Sequence, residues 1–401
     1  MTHSDILSLR RQLKPEKAAI SKLHFCHVDK GKAQFTMFSE DYSALPDEES
    51  ERYLALFKKG LSGIEGRNLF TLSFPLEEEM GGKAERLTKL WEEGRTGAGS
   101  REIITASFSG SVDRLEGMER HLAEMYHTIA TTYNTDCDKY CIITAFGSYD
   151  VPRRSDDVLD NLPGTPSEEG GEEVYDYMIR CICPLILDDP GLGYDAELGR
   201  ICKLPKEWTL QVSDKAFLYP GMTDGSVDIH EVVYYSRKTE ELQAEMAYEL
   251  FGIAPYMTVN DQKEAFAEMV EEVELGLEGL KDLQDRAVEY MEERAETGDA
   301  GEAEDAVDKR DMRLILERTG VEPEKLEEFE QHFEEKMGKE GTLRLSNVVD
   351  MKTARISVPG LEIKMNQDMM DRVVTMEING RNCLVIEIED EMEFNGISVK
   401  P

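Results

Sequence analysis

The sequence predicts an α+β fold, and three observations carry that expectation. Within the first 255 residues, apolar strand-like runs such as Tyr140 to Phe146 (YCIITAF) are interleaved with helical spacings. From 256 to 341, apolar residues recur every three or four positions in a strongly acidic background. From 342 to 401 the period changes to two, around an Asn379-Gly380 pair that signals a tight hairpin. The expected organisation is therefore a mixed α/β domain over 1–255, an acidic antiparallel helical segment over 256–341, and a small, mostly antiparallel β unit over 342–401.

The elements follow in order. Ser4 is a good N-cap for a first helix carrying Ile6, Leu7 and Leu9. Pro46 to Lys59 opens on Asp47, Glu48 and Glu49 and closes on Lys58 and Lys59, which complements the helix dipole; Gly60 suits a left-handed cap. Leu69 to Phe74 alternates like a strand, and Gly94 to Gly110 is rich in Gly and Ser like a loop. Ser111 is placed to cap a helix bearing Leu115, Met118, Leu122, Met125 and Ile129. Strands are expected at Tyr140 to Phe146 and Tyr177 to Leu187, separated by a polar surface excursion at 152–173. Further strands are expected at Trp208 to Val212 and Ile229 to Ser236, then a helix from Thr239 to Phe251 ending before Gly252. Phe266, Val270, Val273, Leu277, Leu280, Ala287 and Met291 form one helical stripe, with Gln284 filling its gap and setting register in a helix pair, within one chain or between two. After a break at 297–304 come Met312 to Arg318 and a helix with Pro323 in its first turn and Leu326, Phe329, Phe333 and Met337 on one face. Packed antiparallel, these helices bury their stripes and leave carboxylates in water. The closing strands carry Ile356/Val358, Leu361/Ile363/Met365, Val374/Met376/Ile378 and Leu384/Ile386/Ile388, with a second Asn-Gly at 395–396.

Charge is the strongest compositional signal. The 401 residues carry 83 Asp and Glu against 46 Lys and Arg, a formal charge of −37, and residues 261–341 alone hold 28 acids and 11 bases. Such a chain repels nucleic acid and anionic membrane and attracts basic partners or cations. Neither nucleic-acid nor membrane binding is expected, although Arg10, Arg11, Lys14 and Lys17 form a local basic cluster. Seven cysteines, odd in number and mostly in apolar surroundings, fit reduced thiols. With no secretory leader, lipid-anchor motif or membrane-length apolar run, the expected location is the cytoplasm.

Chemistry is sparsely marked. His24, Cys26, His27 and Cys181-x-Cys183 lack the spacing of zinc ligands and read as core residues. Pro190 to Tyr194 (PGLGY) reads as a turn, with no phosphate-loop lysine or dinucleotide fingerprint nearby. The sequence contains no nucleophile elbow, HExxH or EF-hand loop, and no cofactor is expected. The densest group of potential ligands is Asp224, Asp228, His230 and Glu231 in TDGSVDIHE, where a strand beginning at Asp228 places that carboxylate and the imidazole on one face. The same residues also read as a turn whose aspartates bind their own backbone.

Several segments together resemble one family of bacterial proteins, the domain of unknown function 4317. They are Ile6 to Leu13, Leu61 to Pro75, Tyr149 to Pro152, Val174 to Pro184, Pro190 to Tyr194, Phe217 to Tyr235 and Asp371 to Val399. The resemblance implies a single architecture from end to end and carries no reaction, ligand or catalytic residue. The reading the residues favour is a binding or regulatory protein that docks a basic protein partner through its acidic helices. The alternative is an enzyme with a noncanonical, metal-assisted or acid–base site around Asp224, Asp228 and His230.

Overall fold

The computed structural model describes residues 3–74, 83–96, 102–110, 114–150, 174–223, 226–253, 255, 257–297, 305–339, 341–350, 352–388, 392–394 and 397–399. The excursion expected at 152–173, Ser111, Asp224, nearly all of the break at 297–304 and the second Asn-Gly lie outside them. The chain divides into two compact units, Met1–Thr258 and Val259–Pro401, so the acidic helices and closing strands, expected as separate parts, share one unit.

The first unit comprises α1 (His3–Gln12), β1 (Ala19–Asp29), β2 (Gln34–Asp41), α2 (Asp47–Gly60), β3 (Leu69–Ser73), α3 (Lys83–Arg95), β4 (Ile104–Ser107), α4 (Gly117–Thr132) and β5 (Lys139–Asp150). It continues through β6 (Val174–Asp188), β7 (Leu192–Asp195), β8 (Arg200–Lys203), β9 (Glu207–Leu210), β10 (Lys215–Tyr219), β11 (Gly221–Thr223), β12 (Ser226–Asp228), β13 (Glu231–Ser236) and α5 (Ala244–Phe251). Nine strands form the main sheet in the order β3-β13-β10-β6-β5-β1-β2-β4, with β9 on the end of β6. The strand pairs are antiparallel, which makes the domain α+β.

Helices cover both faces. On one face, Cys26, Ile142, Met178, Phe217 and Tyr234 pack with Leu90 and Trp91 of α3, Leu122 and Tyr126 of α4, and Phe251 of α5. On the other, Phe25, Ile143, Ile179, Cys181 and Leu218 pack with Ile6 and Leu9 of α1 and Leu54 and Phe57 of α2. Burial on both faces is why β5 and β6 read as nearly continuous apolar runs rather than alternating ones. Cys181 and Cys183 are free thiols filling the second of these cores.

Several boundaries differ from expectation. Helix α1 begins at His3, so Ser4 lies inside it rather than capping it. The Gly/Ser-rich stretch contains strand β4, which pairs with β2 through Gln34↔Ser107 to Met37↔Ile104. Helix α4 starts after Glu116 rather than near Ser111, and α5 starts at Ala244 behind a left-handed Gln243 (φ 54°) rather than at Thr239. Gly60 is the last helical residue of α2 and not its left-handed cap. Its role is close approach: a Cβ there would lie 2.6 Å from Ala216 Cβ and 3.3 Å from Cys181 Sγ. Gly60→Ala is therefore expected to destabilise by about 1–3 kcal/mol through overpacking, against the roughly 1 kcal/mol of helix propensity it gains. A urea midpoint at or above wild type would disprove that account.

The second unit comprises α6 (Val259–Val273), α7 (Leu277–Thr297), β14 (Ala306–Val307), α8 (Lys309–Arg318), α9 (Pro323–Met337), β15 (Leu343–Arg344) and α10 (Leu345–Val348). It closes with β16 (Thr353–Val358), β17 (Leu361–Asn366), β18 (Val373–Ile378), β19 (Arg381–Ile386), β20 (Met392–Phe394) and β21 (Ile397–Val399). The single long stripe expected from Phe266 to Met291 is cut between α6 and α7. Glu274 adopts φ 56°, and its N–H bonds Glu271 O instead of continuing the helical ladder. The phase then resets: Leu280 is exposed, while Leu283, Ala287 and Tyr290 are buried. On α9, all four apolar residues of the expected face, Leu326, Phe329, Phe333 and Met337, are buried.

Gln284 donates to Asp350 O at 2.7 Å, so the unit itself uses this polar side chain. Asn379 (φ 53°) and Gly380 (φ 74°) form the tight turn between β18 and β19, whose pairing ends at Ile378↔Arg381. Among the described residues the closing strands form three separate antiparallel pairs rather than one sheet, and Val358, Leu361, Met376, Ile378 and Ile386 remain exposed. Two strands alone have too little facing surface to bury an alternating apolar row.

Candidate functional site

The structure does not place Asp228 and His230 on one strand face. Strand β12 ends at Asp228, β13 begins at Glu231, and His230 lies in the turn between them. Asp228 Oδ1 accepts the His230 backbone N–H at 2.9 Å, an Asx turn, and the imidazole is exposed. Among the described residues, no group of three or more His, Cys, Asp or Glu side chains is arranged to hold a metal ion.

The most unusual chemistry lies in the core, in a row no sequence motif announces. Cross-strand pairs Ser39↔His24, His24↔Thr144, Thr144↔Arg180 and Arg180↔Phe217 run side by side over β2, β1, β5, β6 and β10. His24 Nδ1 lies 2.7 Å from Ser39 Oγ, and Arg180 Nε donates to Thr144 Oγ1 at 2.7 Å. The Tyr126 hydroxyl of α4 is 3.3 Å from the same Thr144 oxygen. Arg180 is fully buried, its Cζ 5.1 Å from the Tyr126 ring centroid and 5.3 Å from that of Phe217. Its Nη1 and Nη2 are buried without a hydrogen-bond partner among the described residues.

Electrostatics follow from this burial. Desolvation, then the Arg180 charge, brings His24 down to about 3, so the imidazole is neutral at physiological pH. Desolvation lowers Arg180 to about 10, which still leaves it protonated near neutrality, and burial raises the Tyr126 hydroxyl above its ordinary range. The row thus holds one net charge in a low-dielectric core.

The acidic helices are built differently. Helices α6 and α9 run antiparallel, with Glu268 against Lys336 and Glu274 Oε2 3.0 Å from Lys325 Nζ. Helices α8 and α9 are joined by Lys309 against Glu334, and by Arg313 Nη1 2.7 Å from Glu330 Oε2. Glu264 and Glu271 of α6 and Glu324, Glu327, Glu328 and Glu335 of α9 are exposed.

The model of the family described as Domain of unknown function (DUF4317) matches residues 1–397, nearly the whole chain. The chain belongs to the DUF4317 family. No curated protein and no solved structure matches it. No helix of the described residues is long and apolar enough to cross a membrane.

This DUF4317 chain has a second buried ionic group, on the edge of the same core. Asp214 accepts from Lys215 Nζ at 2.8 Å and from the Tyr133 hydroxyl at 2.6 Å, and the Lys215 side chain is 1% exposed. Sequence reasoning passed over both groups. The signal for Arg180 was a lone charge inside the run YMIRCIC; for Asp214-Lys215 it was an adjacent acid–base pair opening a buried strand. Motif searches look for spacings between ligands, and neither signal has one.

Proposed function

We propose that this DUF4317 protein is a binding or regulatory protein whose acidic helices α6 to α9 dock a basic protein partner. The observation that supports this reading is how the unit uses its own bases. Of the 11 Lys and Arg in 261–341, eight (Lys281, Arg286, Arg294, Lys309, Arg313, Arg318, Lys325 and Lys336) are in ion pairs with acids of the same unit. These pairs run between helices or between turns of one helix, and with 28 acids to 11 bases in the segment the charge left over is negative, carried in part by the exposed Glu264, Glu271, Glu324, Glu327, Glu328 and Glu335. Electrostatic complementarity of this kind sets partner choice and association rate, and it is screened by salt.

The test uses the full chain and a variant with Glu264, Glu271, Glu327, Glu328 and Glu335 changed to Gln, all exposed helical positions where Gln preserves propensity. Both serve as baits for native lysate at about 0.05 M and about 0.5 M salt. A basic protein held by the wild-type bait at low salt, released at high salt and bound at least about tenfold less by the variant is the expected result. Equal capture by both baits, capture indifferent to salt, or no basic protein retained overturns the proposal.

A further inference from the structure

Strands β6 and β9 continue past the main sheet as a two-stranded ribbon. Pro184 is the last residue of β6 paired with β5 and Ile182 the last paired with β10, yet β6 runs on to Asp188 beside β9. Strands β7 and β8 prolong the ribbon, tied to its base by the Leu204 N–H donating to Gly191 O. Residues 185–210 thus form one arm, and among the described residues β7 and β8 pair only with each other. A two-stranded ribbon is marginal in water unless something packs on it. One face of β7–β8 is covered: a Cβ on Gly193 would lie 2.5 Å from Leu204 Cδ1, so Leu204 lies over the side of Gly193 and its partner Cys202. The other face carries Leu192, Tyr194 and Ile201, brought together by strand alternation and 77%, 65% and 65% exposed.

We propose that the bare face of this arm packs against the same face of a second copy of the chain, making the protein a dimer. Area is the first reason. Leu192, Tyr194, Leu198 and Ile201, with Leu187 and Trp208 nearer the sheet, leave on the order of 700 Å² uncovered, close to the roughly 800 Å² that one partner gives to a standard interface. Single exposed apolar side chains are ordinary, but this many on one ribbon mark an interaction surface. Charge is the second reason. Asp189 pairs with Lys206 Nζ at 2.7 Å and Lys203 Nζ at 4.0 Å, and Asp188 accepts the Thr209 hydroxyl at 2.6 Å. With these charges met within the arm, what it offers a partner is apolar, unlike the acidic helices and their basic partner. A two-fold axis supplies an apolar face of matching extent, because each copy covers the row that the other leaves bare.

The experiment is light scattering on the full chain as it leaves a gel-filtration column, loaded at about 50 µM in about 0.15 M and about 0.5 M salt. A species of twice the chain's 45.5 kDa is expected at both, since apolar burial survives the screening that releases an ionic contact. Leu192→Thr, Tyr194→Thr and Ile201→Thr together keep residues that favour strands, and should raise the dimer Kd at least about 100-fold and leave a monomer. Leu361→Thr, at an exposed position of the other unit, should leave the dimer intact. A monomeric wild type, a dimer that salt dissolves, an unweakened dimer in the triple variant, or one lost equally in Leu361→Thr overturns the proposal. Should the triple variant fail to fold, hydrogen exchange of the wild-type chain at about 1 µM and about 100 µM decides. Amides of 192–203 that exchange more slowly at the higher concentration support the interface; exchange there indifferent to concentration overturns it.

Discussion

Asp214→Ala is expected to destabilise the Met1–Thr258 unit by about 3–5 kcal/mol, because it strands the Lys215 ammonium in the core. Lys215 opens β10 with a side chain 1% exposed, and Asp214 Oδ2 at 2.8 Å is its counter-charge. The same carboxylate accepts the Tyr133 hydroxyl from the residue that closes α4. Backbone bonds from Asp214 N to Ile182 O and from Arg237 N to Asp214 O hold the pair in place. Urea unfolding followed by tryptophan fluorescence checks the cost, since Trp91 and Trp208 both lie in this unit. The double substitution Asp214→Ala with Lys215→Met should recover much of the loss, because it removes the stranded charge along with its partner. A single-variant cost below about 1 kcal/mol would mean that solvent reaches the ammonium after all.

The same pair sets a pH dependence. Burial raises Asp214, but the Lys215 charge and the hydrogen bonds from Lys215 and Tyr133 outweigh it, and the carboxyl titrates below its ordinary range. A carboxyl depressed in the folded state contributes stability that is fully present above the unfolded value, near 3.9, and is lost as pH falls through the folded value. Wild-type stability should therefore fall in this acid window, and Asp214→Ala should fall less steeply over it. Parallel acid profiles would remove Asp214 as a source of the dependence.

Phe333→Ala is the second large expectation, at about 3–5 kcal/mol in the Val259–Pro401 unit. Phe333 is fully buried on the face of α9 that also carries Leu326, Phe329 and Met337, and its ring centroid lies 6.2 Å from that of Phe329. Truncation leaves a ring-sized hole among helices whose outer surface is charge rather than apolar area, so little can collapse inward to fill it. Because both tryptophans lie in the other unit, helical circular dichroism is the appropriate probe. Glu335→Gln, two residues along on the exposed face, should leave the transition within about 0.5 kcal/mol of wild type. Equal effects from the two substitutions would mean the helices are not held by this core.

Periodicity and terminal chemistry located much of the second unit in advance. The face of α9 and the Asn379-Gly380 turn are local patterns, complete within a dozen residues, and the structure retains both. The α6–α7 break was not visible. Val273 and Leu277 stay four apart across it, so the apolar spacing runs on while the left-handed Glu274 turns the chain. The closing strands show the opposite failure: their alternation was correct as strand, yet an apolar row is buried only if something lies across it.

The sequence by itself determined the strong negative charge and where it concentrates, the α+β class, most helix and strand positions, and the family to which the chain belongs. Each of these is a sum over residues or a pattern between near neighbours. Only the tertiary structure decided which distant residues meet. His24, Thr144 and Arg180 are far apart in the chain and adjacent in the sheet because β1, β5 and β6 pair there. Strand order likewise placed a lone arginine under Tyr126, and helix packing set Arg294, Lys309, Arg313, Arg318, Lys325 and Lys336 against acids of a neighbouring helix or its end. The physical reason is range: propensity and periodicity act over a few residues, whereas desolvation and ion pairing depend on what the fold brings within a few ångströms.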